Sequence, residues 1–594
     1  MTRLLSFSLV FIVCLSTAAA DDLHAPILLP HADEFVFTLY GAPGEVERLE
    51  SLMDFLEARG LANGFDPGPA ASAGSAEALA AIASRGWPCI SYPPFGDFQV
   101  KNGRAELTDA DEAAVAVFDT AQVFQGIQLG EWGYHFHNLS MNEEWFRSAY
   151  GDAFEDYKHL LRNPAWKGYD APPSDRREAY AALKDYWDTR NKAMRGRNIS
   201  VTGHSHYEAY AAAWGARLVG LEVGENIAYT QSKFAFARGA SRQWRVPWSV
   251  QVSPWFHGAC TTRGPLVQQP GGARGLDAGH SLNFYERAWL HAWFAGAAMV
   301  TPENSSNSFF ESDEPPWTLT PHGEKAAELF AFMRTHERGT PVTPIAIVLD
   351  EFAGYNAYMR KPWGYFENTD ADEELYDLFQ QRLFPGSDHI HHAPDPENPE
   401  GSYLRPTPYG EIFDVVLSTA STETLASYRA LLLAGPHEFS DGFMTRLAEA
   451  TEQGTKLWWY PRHEAAAGER LRQHAKVGAV SVLDDDLDAA LTELCQTYAP
   501  VTITGDPVQW QVNRTRTGYV VELVNNAGVR KKPNTPAVVD PDAGIKVTVA
   551  CKESVASASE WRTGKRFDAE KPVTIGVPPG GVRYVAFEHQ AVAR

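Results

Sequence analysis

The chain has 594 residues, 44% of them hydrophobic and 21% charged, an ordinary globular composition that excludes fibrous, collagen-like and disordered classes. At roughly 150 residues per domain the length predicts about four domains, or fewer if one is a large α/β barrel. Lys and Arg number 52 against 75 Asp and Glu, a formal charge of −23. Such a charge repels phosphate backbones and anionic lipid heads, so neither nucleic acid nor a membrane surface is an expected partner.

At the N-terminus Arg3 precedes an apolar run over residues 4–15, followed by Ala18-Ala19-Ala20. A basic start, a short apolar core and an A-x-A site describe a cleaved signal peptide, too short to span a bilayer. Residues 1–20 are read as that peptide. Val13 stands before Cys14 where a lipoprotein site wants a small residue, so the expectation is a freely exported, secreted or periplasmic protein. Cys89, Cys260, Cys495 and Cys551 are widely spaced and form no C-x-x-C motif; disulfides are not expected to organise a chain with so large a core.

Residues 21–340 alternate short apolar runs with amphipathic helical stretches, the pattern of repeated β/α units on a parallel sheet. Eight candidate strands are counted, over 35–40, 61–65, 88–92, 125–129, 198–202, 217–221, 248–252 and 297–301. Between the first two, Val46, Leu49, Leu52, Met53 and Leu56 share one helical face and Gly60 ends the run. Eight units over about 300 residues fit a (β/α)8 barrel better than a doubly wound nucleotide-binding sheet. No G-x-G-x-x-G or Walker A motif follows any strand, and no cofactor is expected. Residues 341–499 open with the apolar run 345–349 and read as a smaller α/β domain; residues 500–594 turn to short strands separated by Pro, Gly and Asn, which predicts a β-sandwich.

A barrel of this kind works at the carboxyl ends of its strands, so the polar residues after each apolar run are the candidates. Strand four runs into Gly130-Glu131-Trp132-Gly133-Tyr134-His135, strand five into Gly203-His204-Ser205-His206, strand six into Glu222-Val223-Gly224-Glu225-Asn226, strand seven into Ser253-Pro254-Trp255, and strand eight into Glu303-Asn304. Glycosidic hydrolysis needs one protonated carboxyl and one ionised carboxylate. Glu131, flanked by Trp132 and Tyr134, is the expected acid, since apolar and aromatic surroundings raise a carboxyl pKa. Its partner is ranked Glu225, then Glu303, then Glu222. Trp132, Trp255, Tyr92 and Tyr229 offer faces for sugar rings, and Arg238, Asn226 and Asn304 offer hydrogen bonds to hydroxyls. His135-x-His137 and His204-x-His206 pair imidazoles on one side of an extended segment, where they can chelate a metal; the expectation is nevertheless sugar-binding or core histidines, because strands one and eight supply no further ligand.

The barrel exit, Leu319-Thr320-Pro321-His322-Gly323-Glu324 through Arg338-Gly339-Thr340-Pro341, then Tyr409-Gly410-Glu411-Ile412-Phe413-Asp414 and Tyr428-Arg429-Ala430-Leu431-Leu432-Leu433, resembles the glycoside hydrolases of the family 42 β-galactosidase type. The resemblance implies a catalytic barrel, a flavodoxin-like middle domain that contributes to homo-oligomer contacts, a small C-terminal β-domain and a carbohydrate substrate. It implies an acid after strand four, matched by Glu131 with Gly130 in place of the usual Asn, and a nucleophile Glu after strand seven. Here that strand ends Val252-Ser253-Pro254-Trp255, which leaves the second carboxylate open between strands six and eight. Two rival readings are a catalytically silent carbohydrate-binding barrel and a metal-dependent hydrolase built on the His pairs.

Overall fold

The computed structural model describes residues 35–69, 71, 75–92, 106–131, 173–203, 205–224, 229–387, 399–483 and 486–589. Eight parallel strands close a barrel: β1 (Val36–Leu39), β2 (Gly64–Gly68), β3 (Cys89–Ser91), β4 (Gln125–Glu131), β5 (Asn198–Thr202), β6 (Val219–Val223), β7 (Trp248–Val252) and β8 (Met299–Pro302), with β1 paired to both β2 and β8. Each strand coincides with one of the apolar runs read from the sequence, displaced by a few residues at most. Around them lie α1 (Val46–Arg59), α2 (Ala76–Ser84), α3 (Asp109–Thr120), α4 (Arg176–Ala193), α5 (Glu208–Ala213), α6 (Thr230–Trp244), α7 (Leu282–Phe294) and α8 (Pro321–Thr335).

Local chemistry starts and stops these helices. The buried stripe of α1 is Leu49, Leu52, Met53 and Leu56, and Gly60 closes it in the left-handed region at φ 60, a conformation that costs glycine little. Thr108 and Asp111 form a capping box on α3, and Thr320 caps α8 by accepting from the Gly323 amide with Pro321 in the first turn.

The second domain is a parallel sheet of β9 (Ile345–Leu349), β10 (Phe413–Leu417), β11 (Ala430–Leu433), β12 (Lys456–Trp459) and β13 (Val480–Val482), ordered β10-β9-β11-β12-β13. That is the flavodoxin order. The third part stacks a six-stranded sheet, which borrows Thr340–Pro341 as an edge strand, and a three-stranded sheet of Val501–Gly505, Ile545–Cys551 and Val573–Val577. One hydrophobic cluster runs from the barrel into both other parts. Polar bolts reinforce it. Arg176 grips Asp372 with two hydrogen bonds of 3.0 and 2.6 Å; Arg177 lies 4.1 Å over the Phe352 ring and donates to Glu438; and His291 on α7 meets Glu522 of the sandwich at 2.6 Å.

Candidate active site

Alternation along the barrel strands sorts their side chains into levels. Val36, Ile90, Phe124, Ile199, Leu218 and Met299 form an apolar plug. One step along the inner face the lining turns polar. Thr38 Oγ1 donates to Thr301 Oγ1 at 2.9 Å, which donates to Asp66 Oδ2 at 2.7 Å, while Gln128 Nε2 on β4 reaches across the barrel to Gln251 Oε1 on β7 at 3.4 Å. Glu222 is buried at the same height, in register with Gln251. Above this level the strand ends bring in Tyr40, Tyr92 and Glu303, and the hydroxyls of Tyr40 and Tyr92 are 3.0 Å apart.

The electrostatics follow from burial. Asp66 is 3% exposed, and loss of water pushes its carboxyl up to about 7, against the hydrogen bond from Thr301 that favours the anion. Its Oδ1 is buried with no hydrogen-bond partner among the described residues. Burial, and then the negative charge of Tyr92, Glu303 and Asp66, hold the Tyr40 phenol well above its ordinary value, so it stays an O–H donor. Glu303 extends β8 through its amide, which donates to the Val252 carbonyl at 3.1 Å, and its charge is felt by both Tyr40 and Tyr285. On the opposite side of the barrel, β4 ends in Glu131. Between the pairs Gln128–Ile199 and Glu131–Val201, β4 carries one residue more than β5, a bulge of the kind found beside active sites.

Not every candidate stands at this rim. Arg238 is a correction: it is buried on α6, where its Nε donates to Asp414 Oδ1 at 3.0 Å and its Nη2 to the Phe413 carbonyl at 2.8 Å, bolting barrel to second domain rather than meeting a sugar. His206 is another. It is buried among Tyr229, Phe236 and Tyr355, its Nε2 lies 3.0 Å from Ser232 Oγ, and burial holds it neutral, far below its usual pKa; one member of the His204-x-His206 pair is thus spent in the core. Asn304 has both ends of its amide in use, Nδ2 on the Thr261 carbonyl at 3.4 Å and Oδ1 accepting from Asn307 at 2.6 Å. Trp255 is half-buried, with the Arg274 guanidinium 4.7 Å from its ring centre. Trp132, Tyr134, His135, His204, Glu225 and Asn226 lie outside the described residues.

No family model matches the chain, and no curated protein does. Among solved structures, Gan42B, a GH42 β-galactosidase, aligns with a TM-score of 0.52 at 11% identity, over 95% of this chain and 100% of that one. The chain is similar to it in fold. A catalytic mutant of Gan42B from G. stearothermophilus gives 0.51 at 10% identity over the same shares, and α-L-fucosidase isoenzyme 2 from Paenibacillus thiaminolyticus 0.49 at 10% identity, over 94% and 100%. The barrel, the sheet of flavodoxin order and the C-terminal β-sheets are the fold expected from the sequence.

Asp66 was missed by the reading of the sequence although the signal was there. The rule applied to strands four to eight, that the first polar residue after an apolar run marks the rim, selects Phe65-Asp66 at strand two as well. Tyr40 is the last residue of the run at strand one. Together these residues can hold one carboxyl, Asp66, protonated more readily than in water and offer a neutral O–H donor, Tyr40, to hydroxyl-bearing ligands.

Proposed function

We propose that the protein is an exported glycoside hydrolase that cleaves a poly- or oligosaccharide, with Glu131 as general acid and a second carboxylate on the facing side of the barrel. The observation that carries this reading is the gathering of Glu303, Tyr40 and Tyr92 at the strand ends, directly above buried Asp66 and Glu222, in the barrel mouth at which β4 ends in Glu131, within a three-part fold similar to that of Gan42B. The acid protonates the departing oxygen while the second carboxylate attacks the anomeric carbon or activates water. Glu303 is the partner the described residues support: β8 lies across the barrel from β4, and the Tyr40 O–H beside it can steady its charge. Asp66, one level below, limits the build-up of negative charge by holding a proton itself.

The test is hydrolysis of a panel of plant, algal and host glycans, headed by β-galactosides, by the wild type and by Glu131→Gln, Glu303→Gln and Glu225→Gln. Loss of a general acid costs roughly 10²–10⁴ in rate, expected for Glu131→Gln, and a comparable loss is expected for Glu303→Gln. Wild-type rates from Glu131→Gln refute the acid; a loss in Glu225→Gln with none in Glu303→Gln moves the partner to Glu225. The absence of a Glu at the end of β7 favours one alternative, a carbohydrate-binding barrel without turnover, which a glycan bound but uncleaved by the wild type would establish.

A further inference from the structure

Beside the barrel mouth, where the chain leaves β1 and β8, lies a cavity of about 220 Å³. Its walls continue those of the candidate site. Tyr40 runs directly into Gly41 and Pro43, and Glu303 into Ser306 and Phe310. The two loops are stitched together: the Tyr40 amide donates to Ser305 Oγ at 2.7 Å, and the Ser306 amide to the Tyr40 carbonyl at 3.2 Å. Gly41, at φ 94, sits so close that a Cβ would stand 2.9 Å from Ser306 Oγ, so the seam tolerates little but glycine.

The lining is part aromatic and part polar. Phe310 and Trp317 supply an aromatic wall, their ring centres 5.6 Å apart, and the Trp317 indole is pinned by a 3.3 Å hydrogen bond to Ser51 Oγ. The polar part of the lining is Ser306, Ser312 and Asp313 with Arg48. Arg48 is held by Glu314 at 3.1 Å and by the Asp313 carbonyl, and Arg263 binds the Asp313 side chain. The Asp313 side chain remains 64% exposed, leaving carboxylate oxygen open to solvent. A pyranose ring has this same division, a C–H face that packs on an aromatic ring and hydroxyl edges that bond to carboxylates and hydroxyls. The volume is below the roughly 300–1,000 Å³ of pockets for drug-sized ligands and suits one ring.

We propose that this cavity is a secondary subsite that holds one neutral sugar ring of the saccharide whose scissile bond lies at the barrel mouth, with Trp317 as its platform and Asp313 as its hydroxyl acceptor. The proposal rests on the glycosidase reading. It implies a preference for chains long enough to reach from the mouth past the Gly41–Ser306 seam.

The experiment measures kcat/KM and saturation-transfer NMR binding for β-1,4-linked galacto-oligosaccharides of two to five rings, with wild type, Trp317→Ala, Trp317→Phe and Asp313→Asn. In the wild type kcat/KM is expected to rise with chain length at the step where a ring enters the cavity. An aromatic platform is worth up to about tenfold, and Trp317→Ala is expected to flatten the rise by that factor, through KM rather than kcat, with Trp317→Phe restoring most of it. A wild type indifferent to length, or a Trp317→Ala variant that keeps the full rise, overturns the subsite and leaves the glycosidase reading intact. If the wild type neither binds nor cleaves any of these glycans or the wider panel, the glycosidase reading falls and the subsite with it.

Discussion

Replacing Asp66 by Asn removes a proton equilibrium from the barrel interior while leaving its shape nearly unchanged, because the amide oxygen can accept from Thr301 as Oδ2 does at 2.7 Å. In the folded chain the carboxyl titrates at about 7 against an ordinary 3.8. The folded state therefore holds the proton more tightly than the unfolded state. Stability from this group is fully present below about pH 4, is lost as pH rises toward 7, and stays lost above it. At about 1.4 kcal/mol per unit, the displacement amounts to about 4 kcal/mol. Asp66→Asn is expected to match the wild type near pH 4 to within a constant offset, and to gain about 4 kcal/mol on it by about pH 8. Denaturant unfolding at several pH values between these limits, followed by tryptophan fluorescence, gives the difference between the two proteins for the transition in which the barrel unfolds. An offset that stays constant across the range refutes the buried, proton-holding Asp66.

The remaining predictions concern the joints and the assembly. Arg238→Ala removes one of two guanidinium partners of the fully buried Asp414, which stays bonded to Arg242, Thr343 and Tyr428, and is expected to cost about 1.5–3 kcal/mol, read as a drop in thermal midpoint with no selective loss of sugar affinity. Gly239→Ala drives a methyl into the Val415 backbone carbonyl and is expected to destabilise by about 1–3 kcal/mol or more; a wild-type melting curve contradicts the close packing of α6 on β10. Homo-oligomers through the second domain are the proposed assembly, and light scattering of a strict monomer at micromolar concentration counts against it.

The strands were readable because a parallel barrel buries both faces of each strand, so each appears as a short apolar run bounded by polar residues; 198–202 and 248–252 coincide with β5 and β7 to the residue. The rim was readable for the same reason. What the sequence concealed depends on partners distant along the chain. Arg238 looks like a helix-surface cation until α6 is laid against Asp414, 176 residues away. His206 carries the i, i+2 spacing of a chelating pair, yet Phe236 and Tyr355 enclose it. Asn304, next to a rim glutamate, is committed to Thr261 across the loop after β7. In each case residue type and spacing were right for ligand binding, and a second element had already claimed the donor.

The joint at Arg177 carries a further consequence. In a doubly wound sheet the crevice that takes a ligand opens where neighbouring strands send their connections to opposite faces, here between the carboxyl ends of β9 and β11. Phe352 follows β9 and Glu438 follows β11, and Arg177 of the barrel lies on the first and bonds to the second. The second domain thus receives the first turn of α4 where its relatives in topology receive a small molecule. The crevice holds a piece of its own chain, permanently at high local concentration, and serves as a socket that fixes one domain upon another.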